Sequence, residues 1–506
     1  MWITLALWIG CSGQQENTVV DEIIDKSTPA ARLEGSNVLF IVMDTLRADR
    51  LGSYGYSIDL SPNLDKLAEA GVRFENHIVN CSWTRPSMGT IFTGHYPRTL
   101  GLYEEQFDKL SEEFTTIAER FKAKGYQTYG VTSNPNTNSL FGFAQGFDEY
   151  GDAGIVFKWM KPTEDEHGEL KESDHSKLET ATTITDRTIA LIDHNNLSKA
   201  TKPFFLTVTY IDPHDPYHAP EKYNKFSKEN NSRTVGYDAG VRYADEEIGR
   251  LLTEMNSRGL MENTTIIFTS DHGEGLKSHP KIPDSHKHGT TLYDSNVHVP
   301  LFIHHPKLTP TVISQLNSSI DLVPTWIDIF GLEEDSSLPG VSLAPWIFGS
   351  GTVNHPEVVF IETEMKKNDK IAVRTPTHSF ILNEDVILYR EDGIHEGYKL
   401  KVWEKKMLEQ YPLEEMYDRS NPFQYELYTK NNIISSDVET ATKLRKTLQD
   451  WNSQTPVRDP ENRSPKDVLT LQNGKKVFPF KNKKNNVEID DKTRKALEQL
   501  GYLDSE

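Results

Sequence analysis

The chain has 506 residues, enough for one large α/β domain with a smaller appendage. An apolar share of 36% can fill a core, and ordinary Gly and Pro usage excludes collagen-like and wholly low-complexity chains. With 55 basic against 75 acidic residues, the net charge of −20 repels a polyphosphate backbone and argues against general nucleic-acid binding.

Residues 1–35 read as a leader and tether. The uncharged apolar run MWITLALWIG is too short to span a bilayer and leads into Cys11 and a polar stretch. That pattern looks like a bacterial lipoprotein signal with Cys11 as the lipid-anchored residue, and it implies a cell-envelope or secreted protein. No Lys or Arg precedes the run, which departs from the usual signal. Cys11 and Cys81 are the two cysteines, which excludes a disulfide framework and a Cys-rich zinc module.

Order is expected from residue 36, and residues 36–352 are assigned to a catalytic domain. NVLFIVMD (37–44) is unbroken, β-branched and closed by Asp44, the pattern of a buried parallel strand. SPNLDKLAEAG predicts a helix capped by Ser61 and stopped at Gly71, and TTIAERFKAKG predicts another ending at Gly125. FFLTVTYIDPHD (204–215) and TTIIFTSDHGE (264–274) repeat the strand design, each ending in carboxylate and imidazole. Strands alternating with helices predict a doubly wound, mostly parallel sheet. Ligands of such sheets gather outside the carboxyl ends of the strands, where Asp44, Asp212, His214, Asp271 and His272 fall.

Residues 353–455 hold the strand-like pieces EVVFIET, KIAVRT, HSFIL and YKLKVWE, which predict a smaller antiparallel subdomain. Residues 456–506 read as a Lys-rich, solvated tail around GKKVFPFKNKKNN, with a terminal helix.

Two constellations carry chemistry. Asp44, Asp271 and His272 offer hard oxygen plus imidazole, suited to a divalent cation such as zinc or manganese. In SWTRPSMGTIFTGHYPRTLG (82–101), Thr84 precedes Pro86-Ser87 and a short helical run ending at Thr93-Gly94, so its hydroxyl sits near a helix N-terminus that favours anions. A Thr hydroxyl bound to a divalent metal can ionise and attack phosphorus or sulfur. Acidic strand ends and a cap threonine also occur with purely structural roles.

The sequence resembles the sulfatase branch of the alkaline phosphatase superfamily over most of residues 37–430. The motifs, in order, are NVLFIVMDTLRADRLGSYGY, TRPSMGTIFTGHYPRTLGLY, GFDEY, YIDPHDPY, FTSDHGE, HGTTLYDSNVHVPLFI and DLVPTWIDIFGL with LPGVSLAPWIFG, closed by ALEQLGYL. The resemblance implies an alkaline-phosphatase-like fold and a metal-dependent hydrolase of sulfate or phosphate/phosphonate esters. Formylglycine-dependent members carry Cys or Ser in C-x-P-x-R, and Cys81-Ser82-Trp83-Thr84-Arg85 departs from it with Trp83 in place of proline. The family nucleophile lies nine residues before the Thr of the helix-ending Thr-Gly, which is Thr84, with Pro86 in register and Met88 replacing the motif Arg. That arrangement is similar to nucleotide pyrophosphatase/phosphodiesterases and to phosphoethanolamine and lipoteichoic-acid transferases, which use an unmodified threonine. No formylglycine is therefore expected.

The resemblance gives Asp44, Thr84, Asp271 and His272 one metal site, with imidazole in place of carboxamide favouring zinc or manganese over calcium, which stays in the set. Asp212, His214 and His288 have two readings. They hold a second ion, as in two-metal phosphodiesterases, although Asp212-Pro213-His214 is more closely spaced than those; or His214 and His288 serve the ester's free oxygens or its leaving group, the preferred reading. Arg85 and Arg47 are candidates for neutralising substrate charge, Asn134 for reaching the substrate, and His279 and His286 for a loop at the mouth. The expected partner is an anionic ester on a glycan, lipid or small molecule; oligomeric state is not legible. Two other functions stand beside hydrolysis: transfer of the covalent group to an envelope lipid or glycan, and a catalytically silent glycan-binding envelope protein.

Overall fold

The computed structural model describes residues 33–102, 108–152, 180–217, 219–276, 287–351, 353–365, 369–383, 412–420 and 432–463, with short pieces at 469–470, 476–480, 494–495 and 497–498. Eight strands come first: β1 (Asn37–Met43), β2 (Val72–Ile78), β3 (Gln127–Thr132), β4 (Glu149–Gly151), β5 (Phe204–Tyr210), β6 (Thr264–Thr269), β7 (Leu301–His304) and β8 (Thr311–Ser318). The helices among them are α1 (Pro62–Glu69), α2 (Thr84–Thr93), α3 (Pro97–Leu100), α4 (Ile117–Ala123), α5 (Ala181–His194), α6 (Ser232–Ser257), α7 (Asp294–Val297), α8 (Leu322–Phe330) and α9 (Ala344–Ile347).

The strands form one sheet in the order β4-β3-β5-β1-β6-β7-β2-β8. β1 lies at its centre, parallel to both β5 and β6, and β7 runs antiparallel to β6 and β2. Side chains alternate across a strand, so Val38, Phe40 and Val42 join one core with Ile91 of α2 and Trp326 of α8. Leu39, Ile41 and Met43 join the other core with Leu191 of α5 and Ile248 of α6. Burial on both faces is why the β1 sequence is apolar without alternation. The same placement sets the carboxyl ends of β1, β5 and β6 side by side.

Two predicted helix ends differ in detail. Ser61 occupies the cap position of α1, but its hydroxyl donates to Asp65 Oδ2 at 3.1 Å, and the first amides go elsewhere: Leu64 N–H donates to Asp245 Oδ1 of α6 at 2.8 Å. A local Ser cap yields to a carboxylate brought by the fold. The same helix closes on Ala70 in a right-handed conformation, and Gly71 is required instead because a Cβ there would meet the Ile303 carbonyl oxygen at 2.5 Å.

Beyond the large sheet, β9 (Val359–Thr363), β10 (Lys370–Arg374), β11 (His378–Asn383) and β12 (Glu414–Asp418) pair antiparallel in the order β12-β11-β10-β9. Helix α10 (Val438–Gln454) covers them, packing Leu444, Leu448 and Trp451 on Val373, Phe380 and Met416. The YKLKVWE segment (398–404) lies outside the described residues. The stretch read as a solvated tail contains a three-stranded sheet of β13 (Val457–Arg463), β15 (Lys476–Phe480) and β14 (Leu469–Thr470). Val and Phe in KVFPF are β-prone residues whose signal the surrounding lysines obscured. Thr99 Oγ1 donates to the Pro456 carbonyl at 2.9 Å, fastening the start of this segment to the main body. Among the described residues no helix is long and apolar enough to cross a membrane. Residues 1–32, with Cys11, lie outside the described residues.

Candidate active site

Asp44 follows β1 directly and is fully buried. The next residue, Thr45, has φ +60°, an unusual conformation for a β-branched side chain, and is held by its neighbours. Tyr237 Oη donates to its carbonyl at 2.9 Å, and its N–H donates to Asp271 Oδ1 at 3.3 Å. The turns after β1 and β6 are thereby tied together.

Thr84 is the first residue of α2, after an extended Trp83. The helix ends on Gly94 at φ +76°, the left-handed closure expected of a Thr-Gly terminus. Thr84 is buried, and its Oγ1 lies 3.2 Å from His272 Nε2 and 3.5 Å from Asn134 Nδ2. Asn134 Nδ2 also donates to Asp44 Oδ2.

After β6, Asp271 Oδ1 accepts the His272 N–H at 2.9 Å, which leaves Oδ2 facing the site. His272 Nδ1 donates to the Gly273 carbonyl at 2.9 Å, since a carbonyl can only accept. Nε2 therefore presents its lone pair 3.5 Å from Asp44 Oδ1 and 3.4 Å from Asp271 Oδ2. Those two carboxylate oxygens are buried and meet no hydrogen-bond donor among the described residues. Burial, and next the Asp271 carboxylate, push the Asp44 carboxyl well above its usual range. One ligand atom from each of Asp44, Asp271 and His272 converges, all within 4.8 Å of one another. Such a donor set fits a divalent cation, and the orienting Nδ1 hydrogen bond is the support that a metal-binding imidazole commonly has.

Around this cluster stand His214 and His288. The His288 ring centroid is 4.4 Å from that of His272 and 4.8 Å from that of His214. Burial, and next the facing His288, push His214 down to about 3, so it is neutral at ordinary pH. His288 Nδ1 lies 3.3 Å from Glu274 Oε2. Asp212 is not among the residues whose ligand atoms converge, and its Oδ1 accepts the Ala181 N–H at the start of α5 at 3.0 Å. Arg85 is buried with its guanidinium 3.7 Å above the Phe141 ring and 2.9 Å from Asn136 Oδ1. Arg47 pairs with Asp49 at 2.6 Å and donates to the Glu274 carbonyl at 3.1 Å. His279 and His286 lie outside the described residues. Cys81, three residues before Thr84, is packed in the core, and burial raises its thiol far above the usual range.

The sequence reading missed Glu274 and Ser87. Glu274 is buried at the imidazole cluster, and Ser87 Oγ donates to the Asp271 carbonyl at 2.5 Å. The signal for Glu274 was its place two residues after His272 on the same strand-end loop.

A doubly wound sheet whose central strand ends gather a hydroxyl, two carboxylates and an imidazole defines an alkaline-phosphatase-like α/β protein. The chain belongs to the sulfatase family, whose pattern matches residues 36–332. It is 27% identical over 344 residues to an ulvan-active sulfatase of Formosa agariphila, covering 62% of this chain and 65% of that protein. It is 26% identical over 387 residues to the iduronate 2-sulfatase of Homo sapiens, covering 62% and 66%. The chain thus spans slightly less than two thirds of the length of each of these relatives. A phosphonate monoester hydrolase from Silicibacter pomeroyi shares the fold with a TM-score of 0.60 at 20% identity, over 82% of this chain and 95% of that one.

Proposed function

We propose that the chain hydrolyses sulfate or phosphate/phosphonate esters with Thr84 as the nucleophile. The observation that carries this reading is the Thr84 hydroxyl, 3.2 Å from His272 Nε2, beside two buried carboxylate oxygens that meet no hydrogen-bond donor among the described residues. Asp44, Asp271 and His272 would hold a divalent cation, zinc or manganese before calcium, which supplies positive charge that favours an ionised hydroxyl and an anionic ester. Thr84 Oγ1, its proton released to solvent as the hydroxyl ionises beside that charge, attacks the sulfur or phosphorus in line, forming one bond as the bond to the leaving oxygen breaks. Its position at the start of α2 aims backbone amides toward the same anion. With His288 Nδ1 facing Glu274, Nε2 is the nitrogen assigned to the substrate, and the imidazolium form of His288 gives its Nε2 proton to the leaving oxygen and becomes neutral. Neutral His288 Nε2 then takes a proton from the water that attacks the sulfur or phosphorus, the bond to Thr84 Oγ1 breaks, and both the free Thr84 oxygen and the His288 imidazolium are restored. His214 Nδ1 donates to the Asp215 carbonyl, so the neutral ring presents a lone pair at Nε2 and serves the ester's free oxygens only once protonated, and Arg85 stiffens the helix start that carries Thr84.

Cys81 is not the nucleophile in this scheme, because its side chain lies in the core and its thiolate is strongly disfavoured. The ulvan-active and iduronate 2-sulfatase relatives make a sulfated glycan the first natural substrate to try. The test compares nitrophenyl sulfate, phosphate, phosphodiester and phosphonate turnover, with bound metal identified by anomalous scattering. Thr84→Ala should lose every activity by about a thousandfold or more, and Cys81→Ser should keep them. The reverse pattern overturns the assignment.

A further inference from the structure

The segment that carries His288 is gripped from two sides. On the catalytic side, Gly289 N–H donates to the Ser82 carbonyl at 2.8 Å, and Gly273 N–H donates to the Asn296 carbonyl at 2.8 Å. A Cβ on Gly273 would strike the Ser295 carbonyl, so this segment lies directly against the His272 turn. On the other side stands the antiparallel subdomain. Thr363, at the end of β9, donates its hydroxyl to the Gly289 carbonyl at 2.6 Å. Asp294, the first residue of α7, receives Arg374 Nε at 3.0 Å and Arg419 Nε at 2.7 Å, all three side chains fully buried. Arg374 also donates to the Leu292 carbonyl, and Arg419 to the Thr375 carbonyl at 2.9 Å. Both guanidiniums come from strand ends of the subdomain, and both meet one carboxylate six residues after His288.

A buried charge cluster is a poor way to gain stability, since well-packed apolar residues often do as well, but its directional hydrogen bonds can hold the groups it joins in one register. We propose that Asp294, clamped by Arg374 and Arg419, is a positioning residue that sets His288 against the His272 ring at the candidate site. The subdomain is thus a template for the catalytic segment as well as a cover. The inference rests on the substrate-side role of His288 given above.

Its test is a double-substitution cycle with two nitrophenyl-type esters, one with a good and one with a poor leaving group. Asp294→Asn keeps the volume and removes the charge. It should lower kcat about 10- to 100-fold on the poor leaving group, with KM nearly unchanged and a smaller loss on the good one. In a His288→Ala background the same substitution should change kcat less than about twofold. Independent, multiplying losses overturn the proposal. Should Asp294→Asn fail to melt cooperatively, Thr363→Val, which removes only the hydroxyl on Gly289, is read in the same way. Hydrogen exchange supplies a readout that needs no activity: residues 287–293 should exchange faster in Asp294→Asn, with 44–46 unchanged. Unaltered exchange at 287–293 overturns the bracing. Faster exchange in a protein whose wild type turns over no ester upholds the bracing and rejects the catalytic reading instead.

Discussion

Two oxygen atoms decide how this site is read. Asp44 Oδ1 and Asp271 Oδ2 are buried acceptors that meet no donor among the described residues, and they lie against an imidazole nitrogen. Leaving such groups unmatched costs on the order of 1–3 kcal/mol each, more when charged, so a cation bound among them would stabilise the fold. Zinc or manganese at about 100 times its Kd should therefore raise stability by about 2.7 kcal/mol, read as a higher Tm. Asp271→Asn should abolish that rise, and a metal-induced shift of equal size in the variant contradicts the ligand assignment. The acids and imidazole were legible because strand-end Asp and Asp-His pairs stand at fixed places in the sequence. Glu274 was not, because its use depends on His288, fourteen residues on and meeting it only through the fold.

The elements differ in how openly they announce themselves. β1, β5 and β6 are legible because a strand buried on both faces must be apolar throughout, and α2 because a Pro near its start and a Thr-Gly at its end bracket it. The cap of α1 was not legible. Its amides are served by Asp245, over 180 residues away, and nothing near Ser61 signals that. Asp245→Ala should accordingly destabilise the protein by about 2 kcal/mol and Ser61→Ala by less, measured as urea midpoints at constant m. The opposite ranking returns the cap to Ser61. β15 was missed for a related reason: lysine content measures average solvation, whereas a strand needs only a few β-prone residues in register with a partner.

On the scale of the whole molecule, the sequence displayed two sets of strands but not the seam between them, which is made by pairs distant in the chain. Asp294 with Arg374 and Arg419 is one such pairing, and His355 with Asp321, Nε2 to Oδ2 at 3.0 Å, is another. Burial opposes the charge of His355, but its hydrogen bond to Asp321 and the attraction of that carboxylate outweigh this and hold the imidazolium above its ordinary range. A folded-state pKa raised above the unfolded one gives stability that is complete below about pH 6.5 and is lost as pH rises through the raised value. His355→Gln should therefore flatten the Tm profile on the alkaline side of pH 6.5, and an unchanged slope would show that the pair does not couple the seam to pH. The account as a whole depends on the Thr84 oxygen becoming covalently loaded during turnover. Acid quenching in the steady state followed by peptide mass spectrometry tests this directly: the sulfo or phosphoryl adduct should sit on the peptide carrying Thr84, absent in Thr84→Ala. An adduct on Cys81, or formylglycine at that position, would contradict the account.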